Sequence, residues 1–279
     1  SLVGSEMCIR DRDMLMATQG SYALMVQPDD ILISPREVDE HFGTMVCFHP
    51  RYALGDNHNY VDKDDFLREM YLKTVGNDER GMERYDHMIN MVWSRKMTGP
   101  NPDPRAVDNT IMNVVSKKFL MLPLYLLDHS GLAMKTTSFN DLWDSGQVGW
   151  IYVSKEAALK EFGGDKMTGA IRQRAEDLMR SEVAAYDCYL RGECYGFELY
   201  KNGELSDSCW GFMGDLDEAK KGMADYLPEE CKGMLDELQE QDHPATIIKT
   251  LLKHAKLQID QAAKALDHAP RQQVIGDAR

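Results

Sequence analysis

The strongest constraint on the fold is a tight turn between two β-prone runs in the last third of the chain. The runs Tyr195–Tyr200 and Leu205–Phe212 flank the tripeptide Lys201-Asn202-Gly203. Asn-Gly is the dipeptide that two-residue hairpin turns favour, because both central positions of such a turn need a positive φ. The sequence therefore predicts at least one antiparallel pair of strands.

Further β-prone runs are spread along the chain, and helical patterns lie between them. These runs are Tyr22–Val26, Thr44–Phe48, Met121–Leu127, Leu132–Thr137 and Gln147–Val153. The turn-forming residues Asp128-His129-Ser130-Gly131 predict a second hairpin. Strands that alternate with helices and hairpins favour an α+β fold with a mixed or antiparallel central sheet.

The helical patterns divide the chain into predicted regions. Three amphipathic segments indicate a helical insertion over residues 62–118, within an α+β core domain over residues 21–214. A helical extension is expected over residues 215–279. Its apolar stripe is typical of a docking face, either for the rest of the chain or for a second copy in a homo-oligomer. The stripe consists of Ile248, Leu251, Leu252, Ala255, Ile259, Ala262, Ala263 and Leu266.

The N-terminus is set apart from these predictions. Residues 1–12, SLVGSEMCIRDR, resemble the read-through of a sequencing adapter, so residues 1–20 are expected to be disordered or artefactual. Without Cys8, five cysteines remain and none forms a C-x-x-C pair. This usage is typical of free thiols in a reducing cytoplasm, and it argues against a cysteine zinc site.

Composition excludes several classes of protein. Hydrophobic residues make up 43% of the chain, which is too many for a disordered protein. No apolar run approaches the about 18 residues of a membrane span, so no membrane association is expected. The 32 basic and 46 acidic residues give a net charge of −14. Because no basic stripe is present, direct binding of nucleic acid is disfavoured.

The stretch GTMVCFHPRYALGDNH carries the first group of candidate site residues. His49, Asp56 and His58 lie within ten residues and could ligate a divalent metal, since imidazole and carboxylate suit zinc, manganese or iron. Alternatively, Arg51 could grip a phosphate or carboxylate while Tyr52 stacks on a base. The third interpretation is structural: Asp56 satisfies backbone groups, and the histidines cap backbone groups or face water.

His129 is the residue of the second predicted hairpin turn that is expected to point into a site. Its neighbours Asp128 and Ser130 are ordinary turn formers. Adjacent residues of one turn cannot form a catalytic triad, because nucleophile, base and orienting acid must converge from separate places.

The stretch WDSGQVGW carries the last group of candidate ligand-binding residues. Its glycines let the backbone approach a ligand closely, and its successive N–H groups can bind an anion. Trp143 could stack on a nucleobase, while Asp144, Ser145 and Gln147 supply hydrogen bonds. The stretch lacks the lysine of a phosphate-binding loop and the glycine spacing of a dinucleotide fingerprint.

At these residues the chain resembles a family of uncharacterised proteins from bacteriophages, prophages and other mobile elements. The resemblance rests on four blocks, which are Ser34–His58, Leu122–Gly131, Trp143–Ser154 and Tyr195–Phe212. It implies a phage-encoded protein in the cytoplasm of a host bacterium. The family has no established reaction, so the resemblance implies no catalytic residue.

Three hypotheses follow. The first is a protein that binds a nucleotide-like small molecule and sequesters a host anti-phage defence signal, without a recognisable catalytic set. The second is a metal-assisted hydrolase of a phosphodiester or nucleotide, with His49, Asp56, His58 and His129 as ligands. The third is an acidic inhibitor that mimics DNA. The first depends on a spatial prediction: the loops carrying Arg51, His129 and Trp143 meet around a common cavity at one rim of the sheet.

Overall fold

The structure, a computed structural model, describes residues 14–29, 33–38, 40–97, 103–141, 143–241 and 243–267. These residues form two compact units. The first unit comprises residues 33–191, and the second combines the described residues of 14–29 with 192–267. The second unit is therefore built from segments on both sides of the first in the sequence.

The strands are numbered in chain order. They are β1 Leu15–Gln19, β2 Tyr22–Pro28, β3 Thr44–Cys47, β4 Phe119–Asp128, β5 Leu132–Lys135, β6 Ser145–Ser154, β7 Cys194–Lys201, β8 Glu204–Met213 and β9 Gln239–Glu240. Every pairing among them is antiparallel.

The α-helices are numbered in the same way. They are α1 Pro35–Val38, α2 Lys63–Val75, α3 Glu79–Val92, α4 Ala106–Val115, α5 Lys155–Phe162, α6 Gly169–Arg191, α7 Leu216–Met223 and α8 Pro244–Asp267. A π-helical turn, Trp93–Met97, follows α3, and a 3-10 helix, Glu229–Glu237, lies between α7 and β9.

The first unit is a four-stranded sheet covered by helices on both faces. Its strand order is β3-β6-β4-β5. Alternate residues of a strand point to opposite faces, so Met45 and Ile151 enter the core formed with α6, whereas Val46 and Trp150 enter the core formed with α2–α4. The predicted helical insertion is thus one layer of this unit.

The second unit is a five-stranded sheet with the order β8-β7-β2-β1-β9. The predicted hairpin joins β7 and β8, with Asn202 at φ 55° and Gly203 at φ 81°. A side chain on Gly203 would also lie 2.5 Å from the backbone nitrogen of Leu252 in α8. Glycine is therefore needed here both for the turn and for the close approach of the helix.

The α+β fold class is confirmed, and the organisation differs from the prediction in three respects. The described residues form two antiparallel sheets where a single central sheet was expected. Leu15–Gln19, within the region expected to be disordered or artefactual, forms strand β1. The predicted boundaries at residues 21 and 214 also differ from the two units, because β2 pairs with β7 across more than 160 residues of chain. Residues 1–13 lie outside the described part.

Helix α8 carries the predicted terminal stripe. Ile248, Leu251, Leu252 and Ala255 are half-buried, whereas Ile259 is 66% exposed. The side chains of Ala262, Ala263 and Leu266 lie outside the described part of the chain. Among the described helices, none combines the length and the apolar character needed to cross a membrane.

Candidate functional site

The three predicted loops meet at one end of the first unit's sheet. We call their residues, namely 49–52, 128–131, 141 and 143–147, the rim. Arg51 donates a short hydrogen bond from its guanidinium to the carboxylate of Asp128. The backbone nitrogen of Asp128 donates to the carbonyl of Asp144 at 2.8 Å, and His129 contacts the carboxylate of Asp144 at 2.5 Å. These contacts link the loop after β3, the β4–β5 turn and the start of β6.

The loop after β3 is organised around His49. The Nδ1 atom of His49 accepts hydrogen bonds from the backbone nitrogens of Arg51 and Tyr52, both at 3.3 Å. The imidazole stacks on the ring of Tyr52 with 4.9 Å between centroids, and the Arg51 guanidinium lies 5.3 Å from that ring. Burial and the charge of Arg51 lower the pKa of His49, while Asp128 opposes them. His49 is therefore neutral near pH 7.

The other two loops form an ion pair between His129 and Asp144. The hydrogen bond from Asp144, and then its charge, raise the pKa of His129 above its ordinary value. Asp141 fixes the turn before β6, because its carboxylate accepts from the backbone nitrogens of Trp143 at 2.8 Å and Asp144 at 3.1 Å. These two hydrogen bonds lower the pKa of Asp141.

The remaining predicted ligand-binding residues of the rim differ in their surroundings. The hydroxyl of Ser145 donates a short hydrogen bond to the carbonyl of Asp141, and the amide of Gln147 donates to the carbonyl of Gly149 at 3.3 Å. Trp143 is 95% exposed. At the rim, Arg51, which was predicted to bind an anion, and His129, which was predicted to point into a site, are thus each paired with a carboxylate of the same protein.

Three of the four predicted metal ligands, His49, Asp56 and His58, make other contacts. The Nδ1 atom of His49 accepts backbone hydrogen bonds, and the Nε2 atom of His58 donates to the carbonyl of Cys47 at 3.0 Å. Asp56 is bound through both carboxylate oxygens by Arg36, at 2.7 and 2.6 Å. Among the described residues, no group of three or more His, Cys, Asp and Glu side chains could hold a metal ion. The structural interpretation of Asp56 fits these contacts.

Arg36 is the residue that sequence analysis missed. Its side chain is only 2% exposed, and it also contacts Glu182 at 3.2 Å and the carbonyl of Gly43 at 2.7 Å. Glu182 in turn accepts from the backbone nitrogens of Phe42 and Gly43. Asp56 accepts from the backbone nitrogen of Met45 at 2.9 Å. This buried network ties α1, strand β3 and the following loop to α6.

Beside this network lies a cleft of about 460 Å³ between strand β3, strand β6, helix α2 and the loop after Asp56. Its lining residues share a polar or aromatic character, apart from Val46. They are Thr44, Val46, Asn57, His58, Asn59, Tyr60, Asp65, Glu69 and Tyr152. None of the rim residues lines this cleft.

The polar side chains of the cleft have fewer hydrogen-bond and ion-pair partners than those of the rim. Within the described residues, the side chains of Asn57, Asn59 and Glu69 make no hydrogen bond or ion pair. His58 donates from Nε2 to the carbonyl of Cys47, and its buried Nδ1 atom has no hydrogen-bond partner in the described chain. Amide donors and acceptors, a carboxylate and an imidazole therefore surround one cleft with hydrogen-bonding capacity to spare.

Two phenols complete the cleft wall. Burial, and then the neighbouring phenol of Tyr60, raise the pKa of Tyr152 to about 12, so its hydroxyl remains a donor at neutral pH. The hydroxyl of Tyr60 accepts from the ammonium of Lys73 at 3.2 Å. Tyr60 also packs edge-on against the buried ring of Phe66, with 5.1 Å between centroids. The wall is therefore aromatic and fixed by the core beneath it.

Part of this cleft could have been found in the sequence. Asn57, His58, Asn59 and Tyr60 are consecutive polar and aromatic residues before a helix that begins with acidic residues. Their convergence with Thr44 and Tyr152 depends on the pairing of β3 with β6, in which Thr44 lies opposite Tyr152.

A comparison of the chain with known protein families, with curated protein sequences and with solved structures found no match.

Proposed function

We propose that this protein binds a small polar molecule with a planar ring and several hydroxyl groups, of which nucleosides are the best-fitting class. The proposal rests on the cleft of about 460 Å³, in which the side chains of Asn57, Asn59 and Glu69 have no partner among the described residues and lie beside two phenol rings. This volume is within the range of small-molecule sites, about 300–1,000 Å³. Carboxylates and amides suit ribose hydroxyls, and the tyrosines suit the face of a base.

The negative charge of the cleft and of the whole chain favours an uncharged or cationic ligand among the nucleotide-like molecules that were predicted. Asp65 and Glu69 lie at the cleft and the chain has a net charge of −14, so a phosphate group would be repelled. Arg51, the rim residue that was predicted to hold a phosphate, is already paired with Asp128, and His129 is paired with Asp144. Nucleosides are therefore preferred over the corresponding nucleotides.

Calorimetry with nucleosides and their 5′-monophosphates tests this proposal. We expect saturable binding of at least one nucleoside and binding of its monophosphate that is weaker by tenfold or more, which is about 1.4 kcal/mol. Glu69→Gln should weaken nucleoside binding by about tenfold, because a hydrogen bond to a charged acceptor is lost. Asn59→Ala should weaken it by about fivefold.

The rim supplies the matched controls. Trp143→Ala and Arg51→Ala change exposed side chains and should leave nucleoside affinity unchanged. Tighter binding of the monophosphate, or loss of binding in the rim variants alone, would contradict the assignment to the cleft. Sequestration of a host defence signal stays a prediction; it requires that expression of the wild-type protein, but not of Glu69→Gln, restores phage growth in a defended host.

A further inference from the structure

A second cavity, of about 260 Å³, lies within the helical insertion of the first unit. It is enclosed by helices α2, α3 and α4 and by the π-helical turn, and it shares no lining residue with the cleft. Its floor is apolar, since Leu67 and Ile111 are buried and Ile89 is half-buried. The floor therefore suits a short hydrocarbon chain.

Two aromatic side chains form the walls of this cavity. Tyr85 is half-buried and packs edge-on against Tyr71, with 5.3 Å between centroids. Trp93 is 52% exposed and is the first residue of the π-helical turn. Isolated π-helical turns are rare and occur frequently at functional sites. The faces of tyrosine and tryptophan rings attract cations.

The mouth of the cavity carries an excess of negative charge. The ammonium of Lys63 lies 2.9 Å from a carboxylate oxygen of Asp108 and 3.7 Å from one of Asp64, so two carboxylates share one cation. Burial raises the pKa of Tyr85, and Asp64, Asp86 and Asp108 raise it further, while Arg68 opposes them.

We propose that this cavity binds an alkylammonium or alkylguanidinium group. The hydrocarbon stem lies on Leu67 and Ile111, and the cation lies against Trp93 with Asp108 as its counter-ion. An apolar floor, aromatic walls and an acidic mouth together suit a ligand with a hydrocarbon stem and a cationic head. The net charge of −14 also concentrates cations near the surface.

Calorimetry with three ligands of one length tests the proposal, namely n-hexylammonium, 1-hexanol and hexanoate. We expect hexylammonium to bind at least tenfold more tightly than hexanol, and hexanoate to bind most weakly. Asp108→Asn should weaken hexylammonium binding by about tenfold, because one attractive charge is removed. Lys63→Met should tighten it severalfold, because the competing ammonium is removed. Trp143→Phe, at the rim, should change nothing.

Asp108→Asn and Lys63→Met are expected to change the affinity for hexylammonium in opposite directions, so the test remains decisive even if one variant folds poorly. Equal affinity for all three ligands would show an ordinary packing gap and overturn the proposal, as would hexylammonium binding that neither Asp108→Asn nor Lys63→Met alters. Putrescine and a short lysine- or arginine-containing peptide then distinguish a free amine from a protein side chain as the source of the cation. The nucleoside cleft is tested by other residues and ligands, so failure here leaves it standing.

Discussion

The rim and the cleft of the first unit are made from similar residue types but differ in how those residues are paired. At the rim, Arg51 and His129 each contact a carboxylate, and the hydroxyl of Ser145 is bound to a carbonyl. In the cleft, Asn59 and Glu69 are without partners among the described residues. The comparison teaches that polar residues near one another indicate a binding site only where their hydrogen-bonding capacity is left over.

The largest expected effect concerns the buried network that holds the cleft loop in place. Arg36→Met removes the guanidinium from Asp56 and Glu182, whose side chains are largely buried. We expect the free energy of unfolding to fall by about 3–5 kcal/mol, because two carboxylates lose their buried partner. Urea denaturation measures this loss.

Arg51→Ala is the matched control at the rim. The Arg51 side chain is 66% exposed, so its ion pair should contribute about 0–1 kcal/mol. Equal effects of the two arginine substitutions would show that the buried network is no more important than the rim pair.

The second effect compares two glycines of strand β6. A side chain on Gly149 would lie 1.9 Å from the carbonyl oxygen of Val46 in β3, whereas one on Gly146 would meet no atom within 4 Å. Gly149→Ala should therefore destabilise the protein by about 1–3 kcal/mol and displace the cleft-lining strand β3. Gly146→Ala should change stability by less than about 0.5 kcal/mol. Thermal unfolding and nucleoside binding are measured for both, and a stable Gly149→Ala variant with intact binding would contradict this description of the β3–β6 pair.

A third, smaller effect is the coupling between Arg51 and Asp128. A double-mutant cycle with Arg51→Ala and Asp128→Ala should give a coupling energy of about 0.2–1 kcal/mol, reduced by added salt, because the arginine is largely exposed. A coupling of several kcal/mol would mean that the rim is as strongly organised as the buried network, and the contrast between the two regions would fail.

The smallest effect concerns the two rim histidines, whose pKa values should be shifted in opposite directions from the ordinary value. NMR titration should give His129 a pKa above its ordinary value of about 6.5 and His49 a pKa below it. The stabilisation from His129 is then fully present below pH 6.5 or so and is lost as the pH rises through its raised pKa. Asp144→Asn should remove the rise for His129 and leave His49 lowered. A lowered pKa of His129 in the wild-type protein would show that its ion pair with Asp144 does not form.

Local features of the fold could be predicted from the sequence, and long-range pairing could not. The Asn202-Gly203 turn needs positive φ at both positions, so the sequence alone indicated it. Ser154 is of a residue type that favours the start of a helix, and its hydroxyl accepts from the backbone nitrogen of Ala157 at 3.0 Å. The sequence does not indicate that β2 pairs with β7, because the β-propensity of a strand does not depend on which other strand it pairs with. The two-unit division was missed for that reason.

The candidate site shows the same limit. The meeting of the three loops was expected because each follows or precedes a strand of one sheet. The ion pairs that the charged side chains of these loops form were not expected, since Arg51 and Asp128 lie 77 residues apart in the sequence. Arg36 was missed because a single arginine near a proline has no pattern that distinguishes a buried network from an exposed side chain. Burial and pairing are properties of the folded chain alone.

The most direct test of the central claim is an NMR map of where a nucleoside binds. On titration of the ¹⁵N-labelled protein, we predict shifts of the backbone amides of residues 57–60 and of Glu69, with the indole N–H of Trp143 unchanged. Shifts confined to Trp143, Arg51 and His129 would place the ligand at the rim and contradict the account.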